Sequence, residues 1–114
     1  MHELSITHSL LNLALSHAET AGAKKIIRLN LVIGQMSNIV DESVQFYWDT
    51  IAQNTPAEGA TLIFNRLPAL FHCHNCAQDF KLDDSPSFIC PHCQSVKVQL
   101  TGGDEFRLES IEVE

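Results

Sequence analysis

Two short cysteine motifs constrain this chain more than any other feature of its sequence. Its four cysteines stand as Cys73-His-Asn-Cys76 and Cys90-Pro-His-Cys93, separated by residues 77–89. Each C-x-x-C turn presents two thiolates to one ion, and two such turns complete the tetrahedron of a closed structural zinc site. The spacing therefore predicts that Cys73, Cys76, Cys90 and Cys93 bind one zinc ion.

The segment that carries these motifs has few aliphatic side chains with which to build a core of its own. Residues 70–100 are dominated by cysteine, histidine, proline and polar residues. Zinc binding worth about 10–16 kcal/mol near neutral pH can fold such a small unit. We therefore expect a zinc-binding domain at residues 70–100, inserted into an α/β domain formed by residues 1–69 and 101–114.

A rival interpretation concerns Cys90-Pro-His-Cys93 alone, because this dithiol resembles that of oxidising thioredoxin-like proteins. Such chemistry requires the first cysteine at a helix N-terminus, where the dipole lowers its pKa. Residues 94–100, QSVKVQL, are instead strand-like, and a second cysteine pair lies upstream. The sequence thus favours metal binding over thiol redox catalysis.

Three histidines accompany the cysteines. We expect His74 and His92 to be exposed loop residues that hydrogen-bond near the sulfurs, and a role for either as a substitute ligand stays open. His72 precedes the first motif in a strand-like position and receives no role.

Periodicity outside the cysteine segment predicts helices and strands. Apolar residues at helical spacing indicate a helix from residue 4 to about residue 21, and Gly22 suits the position after a helix. Alternating apolar residues predict strands at residues 24–34 and 60–67. Between them, Asn38 and Asp41 resemble a capping box that would begin a second helix.

The tail, residues 105–114, regains strand character but changes phase. Phe106 and Leu108 are out of step with Ile111 and Val113, which predicts a bulge or a change of covered face. We expect this strand to return to the first sheet. The predicted fold class is α+β: two helices packed on a small mixed β-sheet, with an inserted zinc-ribbon-like domain.

Charge and hydropathy restrict the partners and the compartment. Seven basic against fourteen acidic side chains give a formal charge of −7, which opposes attraction to nucleic acid or anionic lipid. No run approaches the roughly 20 apolar residues of a membrane span, and the first apolar stretch does not fit a signal peptide. We expect a cytoplasmic protein with neither nucleic acid nor membrane as partner.

The first three residues, Met1-His2-Glu3, form a second candidate metal site. A free α-amine, the amide nitrogen and the imidazole of His2 can close small chelate rings around one ion, with the amide of Glu3 as a fourth nitrogen. A planar, nitrogen-rich set suits Ni(II) or Cu(II) better than Zn(II). The plainer alternative, that His2 is an ordinary surface residue and Glu3 complements the helix dipole, stays open on the residues alone.

The sequence resembles the HypA/HybF family of hydrogenase nickel-incorporation proteins along nearly the whole chain. The resemblance rests on the opening MHELSI, on IGQMS, on AEGATL, on the motifs CHNC and CPHC, and on the close GGDEFRLESIEVE. It implies a nickel metallochaperone and not an enzyme.

The same resemblance implies the site residues and the partners. Nickel would be bound by His2, assisted by the Met1 amine and Glu3, while the four cysteines hold zinc. A HypB-type GTPase would assist delivery of nickel to the large subunit of NiFe hydrogenase, and in some organisms the partners include urease maturation factors. The alternative function is a zinc-ribbon protein-interaction adaptor without a second metal.

Overall fold

The computed structural model describes residues 3–85 and 87–114. In this part of the chain the elements are α1 (Glu3–Thr20), β1 (Ile26–Gly34), α2 (Asp41–Ile51), β2 (Thr61–Leu67), β3 (Leu70–Cys73), β4 (Asp79–Lys81), β5 (Val98–Gly102) and β6 (Phe106–Val113). A single 3-10 turn, Leu82–Asp84, follows β4. The predicted α+β class is confirmed. Neither helix combines the length and the apolar character that crossing a bilayer requires, over the residues described.

The first sheet has the strand order β2-β1-β6, so the tail strand does return to it as predicted. β6 runs antiparallel to β1, because the side-chain contacts between them progress in opposite directions along the two strands. Arg28 bonds Glu112 at 2.8 Å, and two residues later in β1 Asn30 bonds Ser110 at 3.0 Å. The C-terminal strand therefore closes one edge of the sheet.

β2 lies on the other side of β1 and runs in the same direction. The carbonyl of Leu31 accepts a hydrogen bond from the Asn65 side chain, and farther along both strands the Gln35 N–H donates to the Leu67 carbonyl. Parallel neighbours need a crossover connection, which α2 supplies. The sheet is mixed, as the sequence predicted.

Burial along β6 changes phase in the middle of the strand. Phe106, Leu108 and Ile111 are half-buried, whereas the consecutive residues Glu109 and Ser110 are both exposed. Strict alternation would have kept every second residue covered. The phase change predicted from the apolar residues of the tail is thus present.

The predicted capping box of the second helix is wrong. α2 begins at Asp41 with Val40 as its N-cap, and no side chain caps it. Asn38 has a φ of 62° and lies in the turn before the helix. Asparagine tolerates this left-handed conformation better than most residues, which explains its presence there. Asp41 and Glu42 instead place carboxylates in the first turn, where they complement the helix dipole.

The chain divides into two compact units. The first comprises Met1–Val32, Ile39–Asn65 and Arg107–Glu114, and the second comprises Ile33–Asn38 and Arg66–Phe106. In the first unit α1 packs against α2. Its buried apolar residues are Leu10, Leu11, Ala14, Ala18, Ile26, Leu29, Leu31, Val32, Val44, Trp48, Ala52, Ala57, Ala60 and Leu62. This is a conventional hydrophobic core.

The second unit contains an antiparallel sheet of order β4-β3-β5 and a small aromatic cluster that the sequence analysis did not anticipate. The ring of Phe71 stacks on that of Phe80 at a centroid distance of 5.4 Å and meets Phe88 edge-on at 5.5 Å. Phe88 is exposed, and the buried members of the cluster besides Phe71 and Phe80 are Ala69, Cys73 and Cys90. Cysteines therefore make up much of the interior of this unit.

A close backbone crossing in the second unit explains two of the glycines. The Gly34 N–H donates to the Glu105 carbonyl at 2.7 Å, and the Met36 N–H donates to the Gly103 carbonyl at 2.6 Å. A Cβ on Gly34 would lie 2.1 Å from the carbonyl carbon of Gly103, and Gly103 itself has a φ of 98°. Only glycine permits this approach and this conformation.

The side chain of Gln35 joins neighbouring segments of the same unit. Its Oε1 accepts from the backbone N–H of Ala69 at 2.9 Å, and its Nε2 donates to Asp83 at 3.1 Å. Both ends of the amide are thus engaged. Together with Gly34, this residue gives the IGQMS segment its structural role.

Candidate metal centre

The four cysteines of the second unit meet at one point. Their sulfur atoms all lie within 4.8 Å of one another, and the pairs Cys73–Cys93 and Cys76–Cys90 are each separated by 3.6 Å. Zn–S bonds of about 2.3 Å in a tetrahedron require sulfur separations of about 3.8 Å. The sulfur positions therefore fit a tetrahedral zinc ion. Over the described residues, no other group of three or more His, Cys, Asp or Glu side chains is placed to hold a metal.

Both cysteine turns have the same backbone geometry. In the first, the Ala77 N–H donates to the Cys73 carbonyl at 2.9 Å, and in the second the Gln94 N–H donates to the Cys90 carbonyl at 2.8 Å. Ala77 and Gln94, each directly after the second cysteine of its motif, have φ values of 61° and 60°. Left-handed backbone costs non-glycine residues about 1–2 kcal/mol each. The metal-binding turns thus contain strain that other interactions must offset.

Hydrogen bonds to sulfur order the two cysteine turns. The backbone N–H groups of Asn75 and Cys76 point to the sulfur of Cys73 at 3.4 Å and 3.5 Å. The side-chain amide of Asn75 donates to the sulfur of Cys93 at 3.3 Å. Asn75 therefore connects the two turns. Sequence reasoning missed this role, although a donor between two paired cysteines is the signal that indicates it.

The metal-free cysteines differ in acidity. The side chain of Asn75 and the backbone N–H of Ser95 lower the pKa of Cys93 to about 6, against the opposing effect of burial. The backbone N–H of Gln78 acts to lower the pKa of Cys76, but burial and the three neighbouring thiols outweigh it and raise that pKa to about 12. The thiolate form is therefore favoured at Cys93 and disfavoured at Cys76, so metal binding at this site releases protons.

The three nearby histidines lie outside the sulfur cluster. His74 is exposed in the first cysteine turn, as expected, and its Nε2 bonds the side-chain oxygen of Gln99 at 2.9 Å and not a sulfur. His92 is exposed in the second turn. His72 lies in β3, where its Nδ1 bonds Asp79 of β4 at 2.7 Å. The pairing of His72 depends on the strand register and was not predicted.

The geometry around Cys90 disfavours thiol redox chemistry. Cys90 is fully buried, and residues 91–97 form turns and a bend that lead into β5. A redox-active cysteine needs access and the field of a helix N-terminus. No helix follows the motif in this described stretch of the chain, so the metal-binding interpretation is the better one.

Two of the three predicted nickel ligands, Met1 and His2, lie outside the described residues. Glu3 is the first residue of α1 and is half-buried. The auxiliary nickel role of Glu3 stays a prediction.

Comparison with known proteins identifies the family. The family model described as hydrogenase/urease nickel incorporation, metallochaperone, HypA, matches residues 1–113. A hydrogenase maturation factor HypA from Dehalococcoides mccartyi is 45% identical over 114 residues, which cover 100% of this chain and 95% of that protein. The protein of the same name from Caldanaerobacter subterraneus is 42% identical, with 100% of each chain covered.

Solved structures agree with the sequence comparison. The solution structure of the Ni metallochaperone HypA from Helicobacter pylori superposes with a TM-score of 0.69 at 29% identity, covering 99% of this chain and 97% of that one. A second solution structure, titled as HypA protein, gives a TM-score of 0.76 at 30% identity and covers 100% and 97%. The chain therefore belongs to the HypA family of nickel-incorporation metallochaperones, which are maturation factors and not enzymes.

Proposed function

We propose that this chain carries one nickel ion at residues 1–3 and delivers it, with a HypB-type GTPase, to the large subunit of NiFe hydrogenase in the cytoplasm. The observation that carries the proposal is the family match over residues 1–113, which includes both the Met1-His2-Glu3 start and the cysteine motifs. Urease maturation factors are further partners where the cell makes urease, in keeping with the family description.

The nickel ligands in this proposal are the Met1 amine, the backbone and imidazole nitrogens of His2, and Glu3 as an auxiliary group. Nitrogen donors in a planar arrangement suit Ni(II), whereas four thiolates in a tetrahedron suit Zn(II). Contrasting ligand sets would keep the two metals apart in one small protein. Cargo and structural ion would then not compete for the same site.

In this proposal, the zinc ion at Cys73, Cys76, Cys90 and Cys93 has a structural function. Support comes from the sulfur separations of 3.6 Å and from the interior position of Cys73 and Cys90. When bound, the ion ties the two cysteine turns together and neutralises much of the thiolate charge. A closed four-thiolate site has no open position for exchange, which suits a permanent ion and not a delivered one.

Delivery requires that the cargo be released without unfolding its carrier. Ligands supplied by three consecutive residues can be exchanged one at a time by a partner, because none of them needs the helix-helix core between α1 and α2 to open. A buried site would lack this property. The proposed position of nickel is therefore compatible with handover.

Metal analysis of untagged protein tests the proposal. We expect one zinc and one tightly held nickel per chain after desalting. His2→Ala, or residues appended before Met1, should remove the nickel and leave the zinc, while His8→Ala, a change at an exposed position of α1, should remove neither. Tight nickel retained in His2→Ala would refute the ligand assignment, and no tight nickel in the unmodified chain would leave the zinc-ribbon adaptor as the function.

The proposed ligands also predict a pH dependence. Imidazole with an ordinary pKa near 6.5 and an α-amine near 8 must both lose their protons to bind nickel. Nickel affinity should therefore fall by more than about tenfold between pH 7.5 and pH 5.5. Equal affinities in a calorimetric titration at the two pH values would contradict the imidazole and amine assignment.

A further inference from the structure

The outer face of the sheet in the second unit carries a pair of histidines that the proposed function does not use. In β3 the side chains of Phe71 and Cys73 are buried, so the alternating residues His72 and His74 belong to the opposite face. Their rings meet edge to face with centroids 5.3 Å apart. Two imidazoles are thus held side by side, on the other face of the strand from the cysteine sulfur.

Each ring has one nitrogen engaged by an acceptor on a neighbouring strand. His72 Nδ1 bonds the carboxylate of Asp79 at 2.7 Å, and His74 Nε2 bonds the side-chain oxygen of Gln99 at 2.9 Å. An oxygen acceptor requires the nitrogen that faces it to carry the proton. In the neutral rings the lone pairs therefore reside on His72 Nε2 and His74 Nδ1.

The strand register fixes this arrangement. His72 is paired with Asp79 of β4 and with Gln99 of β5, so the partners lie on the same face of the sheet. The His74 N–H donates to the Lys97 carbonyl at 2.8 Å, which continues the β3–β5 pairing beyond the end of β3. The backbone positions of both histidines are therefore set before any ligand binds.

We propose that His72 and His74 form a two-imidazole site for a divalent transition-metal ion, with Ni(II) as the ion this protein would meet. Metal–nitrogen bonds of about 2.0–2.1 Å place two ligating nitrogens within about 4 Å of each other. The two ring centroids are 5.3 Å apart, close enough for one nitrogen of each ring to reach that separation. Water completes the coordination, and the site is separate from the sulfur cluster and from residues 1–3.

Asp79 acts as a positioning residue in this site. Metal-binding histidines usually donate their other ring N–H to a carboxylate, which fixes the tautomer and raises the basicity of the ligating nitrogen. The His72–Asp79 contact has that form. As a stabilising ion pair it would contribute little, because the side chains are 35% and 76% exposed and water screens exposed pairs. Gln99 plays the corresponding part for His74.

With only two protein ligands, this site binds nickel more weakly than the four-donor set proposed at the start of the chain. It would fill at high nickel concentration and empty on desalting, so it serves as a transient acceptor and not as a store. Imidazole ligands accept Ni(II), Cu(II) and Zn(II), and the identity of the ion is set by availability.

Calorimetric titration of zinc-loaded full-length chain with Ni(II) alone tests the site in a His2→Ala background. We expect one nickel to bind per chain in this background. Adding His72→Gln or His74→Gln should abolish that binding, whereas adding His92→Gln, a change at an exposed histidine in the second cysteine turn, should leave it intact. Absence of nickel binding in His2→Ala, or binding unchanged by His72→Gln, would overturn the proposal.

A second variant separates ligation from folding. Asp79→Asn should weaken nickel binding by about 10–100-fold while zinc content stays at one per chain. At one fixed nickel concentration, the nickel-dependent change in the ring ¹⁵N signals of His72 should also be smaller in Asp79→Asn than in the His2→Ala parent, whereas a purely structural role of Asp79 in the sheet would leave the two changes equal. Equal nickel-dependent changes and equal affinities would remove Asp79 from the site. Failure of the residue 1–3 proposal is detected independently, by comparing His2→Ala with the unmodified chain.

Discussion

The two units of this protein are stabilised by different means. In the first, fourteen buried apolar side chains supply a conventional core, including Trp48 and the fully buried Leu29 and Val44. In the second, the buried cluster contains two aromatic rings, one alanine and two cysteines. Burial of apolar surface suffices for the first unit, whereas the second has little of it, and we propose that a zinc ion at its four cysteines supplies the remaining stability.

The two proposed functions of metal binding use ligands of different chemistry. The four sulfurs are enclosed by backbone turns and converge on one point, as a permanent structural ion requires. The two proposed nickel sites, the histidine pair on the sheet and residues 1–3, would use nitrogen donors, which suit exchangeable nickel. A protein that must hold one metal and release another benefits from placing them on ligands of different chemistry.

Zinc removal should produce the largest difference in stability between the two units. A strong chelator is expected to cost the second unit the roughly 10–16 kcal/mol that structural zinc supplies, so its sheet should unfold while α1 and α2 persist. In ¹H–¹⁵N NMR spectra, the signals of β5 should lose dispersion and those of α1 should keep it.

The reciprocal control is Leu29→Ala. This residue is fully buried in the first unit, so truncation should lower the free energy of unfolding by about 2–5 kcal/mol without reducing zinc content. If chelation left the β5 signals dispersed, the aromatic cluster alone would hold the second unit, and the comparison would fail.

Gly34→Ala should produce the next largest effect. Its new Cβ would lie 2.1 Å from backbone atoms of Gly103, which cannot move aside as a flexible side chain can. We expect a loss of about 3 kcal/mol, at the upper end of ordinary overpacking, measured by denaturant unfolding.

Gly22→Ala is the matched control for this change. Gly22 has a φ of 68° with nothing within 4 Å of a built Cβ, so the substitution costs only the left-handed conformation, about 1–2 kcal/mol. Equal losses in the two variants would show that the backbone crossing relaxes more readily than its geometry indicates.

Ala77→Gly should stabilise the second unit slightly. Ala77 has a φ of 61° in the first cysteine turn, and glycine removes a penalty of about 1–2 kcal/mol while adding about 0.5–1 kcal/mol of chain entropy cost. The chelator concentration needed to remove the zinc should rise by a few-fold. Ala23→Gly is the control: its position does not have a positive φ, so this change should destabilise the protein. A loss of zinc affinity in Ala77→Gly would show that the turn is not strained.

The smallest effect concerns an ion pair in the first unit. Hydrogen bonds from Arg28 and Asn30 lower the pKa of Glu112 below its ordinary value of 4.5. Because the folded-state pKa is depressed, the contribution to stability is complete above pH 4.5 and is lost as the pH falls through the folded-state pKa.

The measurement is the melting temperature between pH 6 and pH 3 for the wild type and Glu112→Gln. The two curves should converge in acid. A difference that widens as the pH falls would show that Glu112 is not stabilised as the carboxylate.

Local patterns were sufficient to predict most elements and the four cysteines that the structure brings together. The periodicities gave both helices and the strands β1, β2 and β6, and the C-x-x-C spacing gave all four sulfurs. The start of α2 was placed wrongly, because Asn38 suits a left-handed turn as well as an N-cap. Short-range rules could not choose between those two uses of the same residue.

What the sequence alone determined is therefore the chemistry of the ligands and the local turns that present them, since both depend on residues only a few positions apart. The tertiary structure decided which distant segments meet: Gly34 against Gly103, Asn75 on Cys93, and His72 beside Asp79. These contacts depend on strand register and on how separate strands pair, and no local pattern encodes either.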